Sequence, residues 1–95
     1  MSFERQSRPK NRVMVEFIKA EIRTGIMLAN LAAAIMFCDA GHRSTFIADA
    51  RQAFFTARKL AVANLEIIVT EDALWIAQNL YNLELAINRL GNQEG

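Results

Sequence analysis

The chain has 95 residues and a formal net charge of +1 at pH 7. This length fits one domain with a modest core, and the balanced charge excludes a global electric field that would attract nucleic acid or a charged substrate. Hydrophobic residues make up 53% of the chain, which is above the roughly 45 to 50% of an average soluble domain. We therefore expect extra apolar surface that a partner covers, and a second copy of the chain is the simplest such partner.

Both ends of the chain are polar and are expected to lie outside the fold. Residues 1–8 are predicted to form a flexible basic tail, residues 9–91 a single three-helix domain, and residues 92–95 a short second tail. No apolar segment of signal-peptide form follows the basic residues, so secretion is not expected. The single cysteine, Cys38, cannot form an internal disulfide and is typical of a reducing compartment. We predict a cytoplasmic protein.

The first helix is predicted over residues 10–39. Its apolar residues recur at helical spacing, and its charged residues fall together on another face, which we expect to meet water. Gly41 is expected to close this helix in the left-handed conformation. The predicted seam consists of Ile18, Ile22, Gly25, Ala29, Ala32 and Met36, with Phe17, Leu28, Leu31 and Ile35 widening it on one side.

The second helix is predicted over residues 45–69, with Ser44 or Thr45 as its N-cap. Its many alanines, like those of the first helix, would let the two helix axes approach closely. As the middle element, it is expected to contact both neighbours. Its seam is Ile47, Ala50, Phe54, Ala57, Ala61, Asn64 and Ile68.

The third helix is predicted over residues 71–90. Thr70 supplies its N-cap, Glu71 and Asp72 place carboxylates at its positive end, and Gly91 ends it. Short connections make sequential helices antiparallel neighbours. The sequence therefore predicts an all-α fold, a three-helix antiparallel up-down-up bundle.

Catalytic chemistry finds little support in the sequence. A nucleophile needs a positioned base, and the one available pair is Cys38 with His42, which straddles a predicted turn. A packing cysteine and a loop histidine explain these residues more economically, and two ligands are too few for a structural zinc site. We predict no enzymatic activity, no metal site and no cofactor.

Four polar residues are predicted to be buried. Glu21 lies beside the seam of the first helix, and a buried carboxylate needs a partner, which Arg51 or Arg58 could supply. An inter-helix ion pair is the main interpretation. The alternative is a small-ligand-binding or enzymatic site around Glu21 and these arginines. Asn64 lies in the second seam, where a buried amide typically determines register or oligomeric state.

Four large apolar residues fall on otherwise polar helix faces: Phe37, Phe55, Val62 and Trp75. Together with the apolar surplus, they predict a contact surface for a homodimer or for another protein. The sequence thus predicts a non-enzymatic helical interaction module that self-associates.

Membranes and nucleic acid are weaker alternatives. The uncharged run Thr24–Cys38 spans about 22 Å as a helix, short of the roughly 30 Å hydrocarbon core. No transmembrane segment is therefore predicted, although the basic tail could contact an anionic membrane surface. We expect no nucleic-acid partner, because no recognition helix or stacking motif accompanies the basic residues.

The segment Ala50-Arg51-Gln52-Ala53-Phe54-Phe55-Thr56-Ala57 resembles the second helix of a tetratricopeptide repeat, in which small residues accept the neighbouring helix and an aromatic ring fills the space behind it. The chain has one copy and lacks that family's Trp and Leu-Gly signature. It is similar also to the three-helix microtubule-interacting-and-transport domain and, through Ile22-Arg23-Thr24-Gly25, to short bacterial helical proteins. These resemblances imply a protein-binding helical module without catalytic residues.

Overall fold

The structure is a computed structural model that describes residues 9–35 and 40–94, with side chains for residues 11–35 and 41–91. Every regular element within these ranges is helical. The elements in chain order are α1 (Pro9–Ala34), α2 (Ala40–Ala63), a single 3₁₀ turn (Leu65–Ile67) and α3 (Thr70–Glu94). The three helices pack against one another, so the predicted all-α three-helix bundle is confirmed.

The core has two parts, one toward each end of the bundle. In one part, the end of α1 packs on the beginning of α2 and the end of α3, as Ala32, Ile47 and Leu90 show. In the other, the beginning of α1 packs on the end of α2 and the beginning of α3. This alternation means that α2 runs antiparallel to both other helices, which gives the predicted up-down-up order.

Helix α1 is the element on which the other two assemble. It packs most extensively against α2 and also packs on α3, whereas α2 and α3 have the least contact with each other. Gly25 makes the close approach possible. A Cβ atom at this position would lie 2.7 Å from Leu83 Cδ2 and 3.2 Å from Ala53 Cβ. The first helix, rather than the predicted middle helix, is therefore the centre of the bundle.

The first helix and the start of the second differ from the prediction. Helix α1 ends at Ala34 rather than near residue 39, and residues 36–39 lie outside the described ranges. Helix α2 begins at Ala40 rather than at Thr45. No glycine of the described residues has a positive φ, so Gly41 does not close a helix. The Thr45 hydroxyl donates to the Gly41 carbonyl at 3.2 Å, an i to i−4 contact made inside a helix rather than at a cap.

The other helix ends also differ. Helix α2 ends at Ala63 rather than at residue 69, because the side-chain amide of Asn64 donates to the Leu60 carbonyl at 2.7 Å and the chain then tightens into the 3₁₀ turn. Helix α3 begins within one residue of the predicted position and continues past Gly91 to Glu94, since Gly91 keeps a negative φ.

The close packing at Gly25 predicts opposite responses at two helical glycines. A Cβ at Gly91 would meet only Arg51 Nη2, at 3.6 Å, so Gly91→Ala should raise the free energy of unfolding by up to about 1 kcal/mol through helix propensity. The free energy of unfolding of Gly25→Ala should be at least about 1 kcal/mol below that of Gly91→Ala, because Leu83 and Ala53 must move to make room for the added Cβ. Gly25→Leu should lower the free energy of unfolding by about 3 kcal/mol for the same reason. Urea unfolding followed by circular dichroism measures all three. Equal effects of the two alanine substitutions would contradict the close approach.

Candidate functional site

The predicted contact residues that the structure describes do not form one surface. Phe37 lies outside the described residues. Phe55 and Val62 are 57% and 64% exposed and lie seven residues apart on one line of α2. Trp75 is half-buried instead and packs against the core part at the beginning of α1. Trp75 therefore lies apart from Phe55 and Val62, and the contact role of these residues stays a prediction.

Trp75 lies beneath two cationic side chains of α1. Lys19 Nζ is 5.5 Å from the ring centroid, and Arg23 Cζ is 5.1 Å from it. Both distances are within the range of a cation–π contact. The ring therefore belongs to the packing of α3 on α1, and its indole is not presented beside Phe55.

Asp72 is the centre of an ion-pair network between α1 and α3. Its carboxylate lies 2.7 Å from Lys19 Nζ and 3.3 Å from Arg12 Nη1. Asp72 is only 8% exposed, whereas Glu16, which lies 3.5 Å from Arg12 and 4.0 Å from Lys19, keeps about half of its side chain exposed. The sequence assigned Asp72 to helix capping, and its partners on α1 were missed because they lie far away along the chain. The network joins the first half of α1 to the first turn of α3.

The polar residues that were predicted to be buried do not come together. Glu21 is half-buried, and no ion pair links it to Arg51 or Arg58, both of which are described and exposed. The predicted burial of the two arginines is wrong because they lie on the edge of α2 that faces α3, where Arg58 stacks over the Phe54 ring at 5.8 Å. Asn64 is half-buried and binds the end of its own helix.

A second polar residue escaped the sequence prediction. Arg43 is buried at 7% exposure and donates from Nη2 to the Leu90 carbonyl at 3.4 Å. It lies on the seam of α2 one turn before Ile47, and it joins the beginning of α2 to the end of α3. The periodicity of the α2 seam would have indicated Arg43 only if the predicted helix had started near Gly41, as the observed helix does, rather than at residue 45.

Where α2 and α3 separate, they leave an open groove. An apolar depression of about 160 Å³ lies between the helices along Arg58, Leu65 and Leu80, and one of about 480 Å³, lined by α2 residues that include Phe55, Arg58 and Val62, adjoins it on the α2 side. Leu65 is 60% exposed. We call this surface the α2–α3 groove and define it by Phe55, Arg58, Val62, Leu65, Ala77 and Leu80.

A second apolar surface lies on the side of α1 that faces away from the bundle. Its residues are spaced alternately by four and three positions, all are exposed, and none is charged. Its large members are Val13 (69% exposed), Phe17 (50%), Met27 (54%) and Leu31 (40%). Phe17 and Leu31 were predicted to widen the core seam, and this prediction is wrong. We call the surface the α1 outer stripe and define it by Val13, Phe17, Ala20, Thr24, Met27 and Leu31.

The described residues contain neither a metal-binding cluster nor a membrane-spanning helix. Within them, no three His, Cys, Asp or Glu side chains are grouped so that they could hold a metal ion. None of the described helices has the length and apolarity needed to cross a membrane. Contact between the basic tail and a membrane surface concerns residues 1–8, which lie outside the described ranges.

Comparison with known proteins gives no match to a protein-family model, to a curated protein or to a solved structure. The resemblances to the tetratricopeptide repeat, to the microtubule-interacting-and-transport domain and to short bacterial helical proteins therefore stay predictions. The two apolar surfaces and the charges beside them are the features of the structure that bear on function.

The Asp72 network predicts unequal effects for two neighbouring carboxylates. Asp72→Asn should lower the free energy of unfolding by about 2 kcal/mol, because it leaves the Lys19 ammonium partly buried without its counter-charge. Glu71→Gln is the matched control. Glu71 is exposed in the same helical turn, and its loss should cost about 0.5 kcal/mol or less through the helix dipole. Both are measured by urea unfolding at equal protein concentration. A similar cost for the two variants would show that the network does not hold α1 to α3.

Proposed function

We propose that this chain is a non-enzymatic helical protein-interaction module that self-associates in the cytoplasm. One observation carries the proposal. Large apolar side chains occupy two outward-facing surfaces of the described helices, the α1 outer stripe and the α2–α3 groove, where Phe17, Phe55 and Val62 are each at least half exposed. Contiguous exposed apolar surface of this kind typically marks a contact with another protein.

The magnitudes are consistent with association. Burying a Val, Leu, Phe or Met side chain completely gains roughly 1.5 to 3 kcal/mol. The four large side chains of the α1 outer stripe are about half exposed, so covering them in each of two copies would gain on the order of 10 kcal/mol. Association itself costs roughly 4 to 15 kcal/mol. The stripe is thus large enough to contribute most of what a dimer needs, and polar contacts at its edges would supply the remainder.

The groove is suited to a helical partner. Its floor is apolar, and its α2 edge carries Arg51, Arg58 and Lys59, all of which are exposed. An amphipathic helix that presents apolar residues at intervals of three and four, with acidic residues toward α2, would match this surface. The groove therefore supports the other predicted kind of partner, a different protein, in addition to self-association.

The alternative, a polar ligand site built from Glu21 with Arg51 or Arg58, receives no support from the geometry. Glu21 lies on α1, whereas Arg58 lines the groove between α2 and α3. The three side chains would have to approach a common ligand from different sides of α2. We therefore retain the interaction module as the proposed function.

Self-association is tested by the mass of the full chain in solution. Sedimentation velocity at micromolar concentration should give the mass of a dimer, with the monomer appearing on dilution to nanomolar concentration, as expected for an apolar interface between small domains. A chain that sediments as a monomer throughout the micromolar range would contradict the proposal.

A further inference from the structure

We infer that the α1 outer stripe packs antiparallel on the same stripe of a second copy of the chain, with Glu16 of each copy facing Arg23 of the other. The inference deepens the proposed function and rests on it, since it assigns self-association to one of the two apolar surfaces and specifies the arrangement of the copies.

The spacing of the stripe is that of a two-helix seam. Steps of four and three residues alternate from Val13 to Leu31, which is the spacing of the two apolar positions in a heptad repeat and keeps one line of side chains facing a second helix. A stripe that contacted an irregular loop would have no reason to maintain this period over five consecutive steps. The occupant is therefore a helix about as long as α1.

The charges beside the stripe decide which helix fits and in which direction. One edge carries Glu16 and Arg23, seven residues apart, and both are exposed. The other edge carries Glu21 between the apolar Met14 and Leu28. In a parallel pair, the Glu16 edge of each copy lies against the Glu21 edge of the other, so that the Glu16–Glu21 contact occurs twice by symmetry. This like-charge contact disfavours the parallel pair.

In an antiparallel pair, like edges meet. The edge with Glu16 and Arg23 then lies along the same edge of the second copy, and twofold symmetry makes each Glu16–Arg23 contact occur twice. Glu16 can make this contact because half of its side chain is exposed and its pairs with Arg12 and Lys19 are long, at 3.5 Å and 4.0 Å. Arg23 is exposed as well, while its guanidinium lies over the Trp75 ring of its own copy. The edge is thus complementary to itself, which indicates a second copy of this chain as the occupant.

The same register matches the sizes of the apolar side chains. With Glu16 opposite Arg23 of the second copy, Phe17 faces Ala20 and Val13 faces Thr24. The large Phe17 ring thus packs on the small Ala20, and Val13 packs on Thr24, which has about the same size, as close packing requires. Both copies would then share about 20 residues of paired helix, or about 30 Å, which covers the stripe as far as Met27 and leaves Leu31 beyond the paired segment.

The first test compares the two apolar surfaces by double substitution. Phe17→Glu with Ala20→Glu should raise the dimer dissociation constant by at least about a hundredfold, because each carboxylate would enter an apolar contact without a counter-charge. Phe55→Glu with Val62→Glu in the groove is the matched control and should leave sedimentation unchanged. These positions are exposed, and circular dichroism establishes that both variants keep the helix content of the wild type.

The outcomes separate the inference from the proposed function. A monomeric wild type overturns both. If the wild type is a dimer and only the groove substitutions dissociate it, the inference is wrong and the proposed interaction module is retained. The same conclusion follows if both double variants dissociate the dimer. Dissociation by the stripe variant alone supports the antiparallel α1 pair.

The second test addresses the direction of the helices. Glu16→Arg and Arg23→Glu alone should each weaken the dimer by about threefold to tenfold, because each places like charges at the rim. The double reversal should return the dissociation constant to about the wild-type value. A structural effect on the monomer would not be rescued in this way. Additive weakening in the double variant would overturn the antiparallel arrangement.

Discussion

The absence of a side chain at Gly25 is the constraint on which the other features of this bundle depend. Because Gly25 has no side chain, α1 lies at this residue directly against both Ala53 of α2 and Leu83 of α3. One narrow side of α1 therefore contacts both other helices, while α2 and α3 contact each other least. Two consequences follow from this single close approach. Among the described residues, the opposite side of α1 has no neighbour, and the separation of α2 from α3 opens the α2–α3 groove.

Much of the fold could be read from the sequence, because seams of 3.6-residue period are strong signals. The core positions Ile18, Ile22 and Ala57 of the predicted seams are all fully buried. The helix ends were less predictable. Gly41 and Gly91 have the residue type that closes a helix, yet a glycine also tolerates helical φ, and only the packing of neighbouring residues decides between the two.

The candidate site was predicted only in part, for a different physical reason. Helix α1 carries apolar residues around most of its circumference, so periodicity alone could not say which of them face the bundle. Phe17 was assigned to the core and lies outside it, whereas Lys19 was assigned to solvent and contacts Asp72. Such assignments depend on how each helix is rotated about its axis, and that rotation is determined by long-range packing at sites such as Gly25.

The distribution of polar and apolar groups now has a simple interpretation. Ion pairs and cation–π contacts hold residues 12–23 of α1 to the beginning of α3, small residues hold α1 to α2, and the surplus apolar residues are left for contacts between molecules. An isotope-filtered nuclear Overhauser experiment on a mixture of labelled and unlabelled chains tests this most directly, because it records only contacts between two copies. The account predicts intermolecular signals between the Phe17 ring and the Ala20 methyl group. Signals from Phe55 and Val62, with none from α1, would contradict it.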